Sequence, residues 1–228
     1  MIEIPSAIEG PSAWYGPAIA HRSEWIEPLS SAELDEIESA GRPLAAAESD
    51  WETLNRDDFP LPRLSRRLNR ILDEVLEGRG FVLLRGLPVE RWGRRLSAVA
   101  FLGLGLHWGR LRSQNRHGHL LGHVKDLGLT SRDPNVRIYQ TKERQNYHTD
   151  SCDVVGLLCL QPAQAGGLSS LVSSVTIFNE MRKRRPDLAR VLLSLSKPTG
   201  VGRFSASAGV LTIRASARAR TRTICWGP

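Results

Sequence analysis

The chain has 228 residues, of which 41% are hydrophobic and 24% charged, with a formal net charge of +7. This suits one soluble domain of ordinary size with enough apolar content for a core. Three function classes lose support at once. The longest nearly apolar stretch, Leu96–Leu106, is far short of the ~20 residues that span a bilayer. The opening MIEIPSAIEG has neither the basic nor the apolar region of a secretory signal, so a cytoplasmic protein without a membrane partner is expected. The charge does not argue for nucleic acid. Six Lys/Arg lie in residues 197–228, which hold no Asp or Glu, and the other 25 basic residues meet 24 acidic ones. Cys152, Cys159 and Cys225 match no zinc or disulfide spacing, and the first two are expected to be small core residues in a reducing compartment.

Residues 1–60 read as largely irregular, with one short helix over Ser31–Ala40 capped by Ser30 or Ser31. Leu64, Leu68, Ile71, Leu72, Val75 and Leu76 then recur at helical spacing, and Gly78 and Gly80 end that helix. Phe81–Arg85, between Gly80 and Gly86, reads as a buried strand, followed by a helix over Val89–Leu104. Gly105–Asp133 reads as loops with short strands. Val136–Thr141, Tyr147–Leu160 and Leu168–Ser173 read as strands, with a turn at Gln161–Gly167. Ser174 or Thr176 caps a helix through Arg185, and Pro186 opens another to about Leu195. From Lys197 the composition shifts to Ala, Ser, Thr, Gly and Arg without apolar periodicity, which makes a poor candidate for a packed core and gives a tail that need not be ordered.

The sharpest chemical feature is His148-Thr149-Asp150. On a strand, residues i and i+2 share a face, so the imidazole and the carboxylate would project side by side. That is two-thirds of the 2-His-1-carboxylate set that holds Fe(II) on one face and leaves the other open. The tripeptide alone is a weak signal.

Its context is more specific. The segment NVRIYQTKERQNYHTDSCDVVGLLCLQPAQAGGLSSLVSS, with GRGFVLLRGLPVERW and HLLGHVKDLG upstream and NEMRKRRPDL downstream, resembles the taurine dioxygenase-like (clavaminate synthase-like) family of 2-oxoglutarate oxygenases over roughly residues 60–195. The resemblance implies an α+β, mainly β fold: a double-stranded β-helix (jelly roll) with flanking helices, here with an incomplete barrel. It divides the chain into an irregular segment 1–60, a partial jelly-roll domain 61–196 and a non-family basic tail 197–228. It implies His148 and Asp150 as iron ligands, Ser169 as a contact for 2-oxoglutarate, and no catalytic group beyond the metal ligands. It implies Fe(II) as cofactor, 2-oxoglutarate as cosubstrate, O2 and a small-molecule substrate as partners, and release of succinate and CO2, with the protein orienting what the metal and cosubstrate react. The oligomeric state is not legible.

The family's second iron-binding histidine lies far downstream, with a nearby arginine, whereas His148 is the last histidine of this chain. A truncated, non-catalytic family member is therefore the alternative reading. Gln114, Asn115, Tyr139 and Gln140 are candidates for a substrate pocket. HGHLLGH, with His117, His119 and His123, could suggest zinc, but its glycines and nearby arginines favour a loop.

Overall fold

The computed structural model describes residues 3–47, 51–115, 117–150, 152–195, 210–214 and 222–227. Its N-terminal segment is more structured than its composition suggests. It holds a short helix α1 (Gly16–Ala20), strand β1 (Ile26–Pro28) and helix α2 (Ser31–Ala46). A capping box starts α2: the Ser30 N–H donates to Glu33 Oε2 at 2.8 Å, and the Glu33 N–H donates back to Ser30 Oγ at 3.4 Å. The helix runs six residues past the expected end at Ala40, through Gly41 and Pro43. Tertiary contact overrides those local stop signals. A Cβ on Gly41 would lie 2.9 Å from Leu96 Cδ1, so the glycine is where two helices approach closely.

Helix α3 (Leu64–Leu76) buries Leu64, Leu68, Ile71 and Val75, the stripe read from the sequence. Arg67 on its other side ties three elements together. Its guanidinium donates to both oxygens of Glu33 on α2 at 2.8 and 2.9 Å and to Glu27 Oε2 on β1 at 2.6 Å. Strand β2 (Phe81–Arg85) carries the buried Val82 and Leu84. Helix α4 (Val89–Leu106) supplies much of the remaining core, including Val99, Ala100, Phe101, Leu102 and Leu104. It is broken at Gly93, whose φ of 68° lies where glycine alone is comfortable.

His107 closes α4 and is buried. Its Nε2–H donates to the Phe59 carbonyl at 2.8 Å, and its buried Nδ1 has no partner among the described residues. Burial, with the nearby Arg56 charge adding to it, holds the imidazole pKa below its ordinary value of 6.5. The unfolded chain therefore binds a proton that the folded chain refuses. Stability is full above about pH 6.5 and falls as pH drops below it. Thermal midpoints at about pH 7.5 and about pH 5.5 test this against His107→Gln, whose amide N–H can still reach Phe59 O. The variant is expected to lose less on acidification. An equal loss in both proteins would remove His107 as the responsive group.

The sheet is mixed and open, with strand order β1-β2-β6-β4-β5-β3, where β3 is Arg110–Arg112, β4 Val154–Leu158, β5 Val210–Arg214 and β6 Arg222–Gly227. Strand β6 pairs in parallel with β2 on one side and β4 on the other, while β5 runs antiparallel to β4 and β3. Two segments of the basic tail, expected to be poor in structure, thus sit inside the sheet. Ladder hydrogen bonds are made by backbone and need no side-chain periodicity.

Three strand expectations change. Val136–Thr141 holds a 3-10 turn at Ile138–Gln140. There the Arg137 N–H donates to Gln140 Oε1 at 2.9 Å, and both the N–H and the hydroxyl of Thr141 bond the Ile138 carbonyl, so local bonds win over strand propensity. The Tyr147–Leu160 strand shrinks to β4, the part with neighbours on both sides. Leu168–Ser173 is irregular, follows Gly166 and Gly167 at φ 70°, and leaves Leu168 exposed. Helices α5 (Ser174–Arg184) and α6 (Pro186–Leu195) lie where the sequence places them, but the cap of α5 is Ser173 rather than Ser174 or Thr176, its Oγ accepting the Thr176 N–H at 2.9 Å. Among the described residues no helix is long and apolar enough to cross a membrane.

Candidate functional site

His148 and Asp150 do come together, but not by the pleat of a strand. Both lie in the irregular segment before β4, with His148 Nε2 3.9 Å from Asp150 Oδ1. The hydrogen bonds around the imidazole fix its tautomer. Its Nδ1 lies 2.7 Å from the Asn146 carbonyl, which can only accept, so Nδ1 carries the proton. In the neutral ring Nε2 then presents a lone pair, onto which the Gln145 amide donates at 3.4 Å. A backbone carbonyl that holds one ring nitrogen protonated and frees the other is the usual support of a metal-binding histidine.

Asp150 is mostly buried, its side chain 15% exposed against 36% for His148. A neutral imidazole nitrogen beside a carboxylate oxygen suits Fe(II) by donor type, so these two residues fit the metal that the resemblance implies. The neighbouring Cys152 is a poorer donor: burial, with the Asp150 and Asp153 charges, pushes its thiol up to about 12, and it stays protonated at neutral pH. Cys152 and Cys159 are half-buried rather than core residues. Among the described residues no three His, Cys, Asp or Glu side chains gather as a metal cluster, and this includes His117, His119 and His123.

All four residues expected to line a substrate pocket do share one cleft. Gln114, Asn115, Tyr139 and Gln140 bound a space of about 240 Å³. Backbone bonds hold its walls together, with the Lys125 N–H donating to Tyr139 O at 3.2 Å and the Leu127 N–H to Gln140 O at 2.9 Å. The sequence reading missed Lys125, His119 and His123 as lining residues. HGHLLGH was the available signal, but it was weighed only as a metal motif. Asn146, whose carbonyl orients His148, and Gln145, whose amide donates to its Nε2, were missed too, although both are sequence neighbours of His148. Ser169 lies exposed on the irregular segment after Gly167.

Comparison with known proteins gives the class. Residues 40–224 match the family described as taurine catabolism dioxygenase TauD, TfdA family. FR-33289 synthase of Streptomyces rubellomurinus (strain ATCC 31215) is 32% identical over 193 residues, covering 82% of this chain and 56% of that protein. The taurine hydroxylase-like protein SAT17 of Stachybotrys chartarum is 27% identical over 198 residues, covering 84% of this chain and 51% of that protein. A uridine-5'-phosphate dioxygenase of Streptomyces sp. is 35% identical over 150 residues, 60% of this chain and 52% of that protein. The chain therefore belongs to the TauD/TfdA family of dioxygenases, an enzyme family of the Fe(II)/2-oxoglutarate type. It spans about half the length of the curated relatives it matches.

Proposed function

We propose that this chain carries the metal-binding part of an Fe(II)- and 2-oxoglutarate-dependent dioxygenase that oxidises a small organic substrate with release of succinate and CO2. One observation carries the reading: the proton-free Nε2 of His148 lies beside the Asp150 carboxylate, inside a family match that spans residues 40–224. Relatives named as a synthase, a hydroxylase-like protein and a dioxygenase agree with oxidation of a small molecule. The jelly roll belongs to this proposal, whereas the family match through residue 224 runs past the boundary expected near Lys197.

Iron bound here would supply O2 activation coupled to decarboxylation of the 2-oxo acid, chemistry that the side chains do not have. The chain's own residues position it. His148 donates through Nε2, with Asn146 O holding the proton on Nδ1. Asp150 adds a carboxylate that lowers the site's net charge when a divalent cation binds. Ser169 offers a hydroxyl to the carboxylate of 2-oxoglutarate. Gln114, Asn115, Tyr139 and Gln140 hold the substrate by hydrogen bonds.

The test is anaerobic equilibrium dialysis of Fe(II) with 2-oxoglutarate present, followed by admission of O2 and quantification of succinate. The reading expects iron retained above a chelated control; succinate in proportion to it would make this chain a working dioxygenase although His148 is its last histidine, and iron without succinate would make it the truncated, non-catalytic member. A protein that retains no iron above a chelated control would overturn it.

A further inference from the structure

Residues 3–15 form neither helix nor strand, yet one helix grips their backbone. The Asn179 side-chain amide bonds both backbone groups of Ile8, accepting its N–H at 2.9 Å and donating to its carbonyl at 2.8 Å. The Thr176 hydroxyl donates to the Trp14 carbonyl at 2.7 Å, and the Ser173 hydroxyl donates to the Ser12 carbonyl. The Tyr15 hydroxyl donates to Glu180 Oε1 at 2.7 Å. Ser173, Thr176 and Glu180 stand three and four residues apart, so they share one face of α5, with Asn179 beside them.

The same segment is pinned at a second place. The Trp14 indole N–H donates to the Arg79 carbonyl at 2.8 Å, and its ring meets Phe81 edge-on with centroids 5.2 Å apart. Arg79 and Phe81 lead into β2, so residues 8–15 bridge α5 to the sheet. Among the described residues, every hydrogen bond of residues 173–185 that leaves the α5–α6 pair goes to residues 8–15.

This bridge is lightly built. Residues 5–11 are exposed, and Trp14 is its half-buried anchor. A neutral hydrogen bond near water adds little net stability, because water replaces the partner on opening. Such a segment opens before a core that buries Leu68, Phe101 and Leu104.

We propose that residues 8–15 are a releasable clasp on α5. Closed, the clasp fixes α5 against the start of β2. It thereby fixes the downstream end of the exposed segment 161–172, which runs from β4 to the Ser173 cap. Open, it frees α5 and α6 together while α3 and α4 stay folded. None of its bonds involves His148 or Asp150, so it stands apart from the metal centre.

Hydrogen-exchange mass spectrometry of the full 228-residue chain and its variants tests it. Asn179→Ala removes both bonds to Ile8 but raises the helix propensity of α5, so the clasp and a self-sufficient helix predict opposite signs. The clasp expects exchange in residues 8–15 and in α5 to quicken together, about tenfold. A self-sufficient helix would exchange more slowly. Trp14→Ala is expected to quicken the same two stretches, although it alters no residue of α5. Lys183→Ala changes an exposed α5 side chain that makes no hydrogen bond to residues 8–15, and it is expected to leave their exchange unchanged. Helices α3 and α4 are the internal reference and are expected to keep their rates in every variant. Unchanged or slower exchange of α5 in Asn179→Ala would overturn the clasp. Quickening confined to residues 8–15 in Trp14→Ala would reduce the segment to a passenger. Equal quickening of α3 and α4 would make it part of the global core, and either result sinks the proposal.

Discussion

Replacing His148 by alanine is expected to abolish saturable Co(II) binding to this chain, with Co(II) standing in for Fe(II) because it does not oxidise in air on the bench. Among the described residues two protein donors sit together here, at 3.9 Å, so each carries a large share of the affinity. Partners that merely orient a ligand are worth ~10–100-fold in metal affinity, so loss of the ligand itself is expected to cost at least about 100-fold. Folding is expected to change little, because the imidazole is partly exposed and substitutions at such positions stay within about 0.5 kcal/mol. Gln145→Ala is expected to act in the other direction. Its amide donates to the lone pair that the metal needs, so its removal relieves a competitor and tightens binding severalfold. Calorimetry of the three proteins reads both effects. Undiminished Co(II) binding by His148→Ala would place the metal elsewhere and remove the basis for the proposed activity.

The largest expected effect on stability is at Phe59. Its side chain is fully buried in the core cluster with Leu64, Leu68, Phe101 and Leu104. Phe59→Ala is expected to cost about 3–5 kcal/mol, a large part of the 5–15 kcal/mol that a domain of this kind has. The ring also explains a glycine. A Cβ on Gly103 would stand 2.3 Å from Phe59 Cγ, so Gly103→Ala is expected to cost ~1–3 kcal/mol by overpacking, despite alanine's better helix propensity. In the Phe59→Ala background that clash is gone and the added methyl enters the vacated space. The two substitutions are therefore expected to be strongly non-additive, the double variant being no less stable than Phe59→Ala alone. Urea unfolding of the four proteins measures the cycle. Additive costs would mean that the helix backbone at Gly103, rather than the ring, sets its tolerance.

What the sequence determined by itself was what local interactions decide. The α3 stripe, a cap at Ser30 or Ser31, and the extents of α5 and α6 were readable because helix contacts lie three or four residues apart. The family was readable for a related reason. The order and spacing of His148, Asp150, Gly166-Gly167 and the flanking apolar runs survive in a one-dimensional string, and the match over residues 40–224 agrees with it.

Tertiary structure decided what depends on partners distant in sequence. A strand exists only where another strand supplies its hydrogen bonds. Val154–Leu158 became one between β6 and β5, while Val136–Thr141 and Leu168–Ser173, equally β-like in composition, did not. The sequence reading ended α2 at Ala40, yet the helix continues across Gly41 and Pro43, residues poor in helix propensity, where Leu96 packs closely at Gly41. The same division runs through the site. The string names His148 and Asp150 as donors. Which ring nitrogen of His148 is free depends on the aim of the Asn146 carbonyl two residues away, and that Lys125 and His119 share a cleft with Tyr139 and Gln140 depends on how the folded chain brings distant segments together.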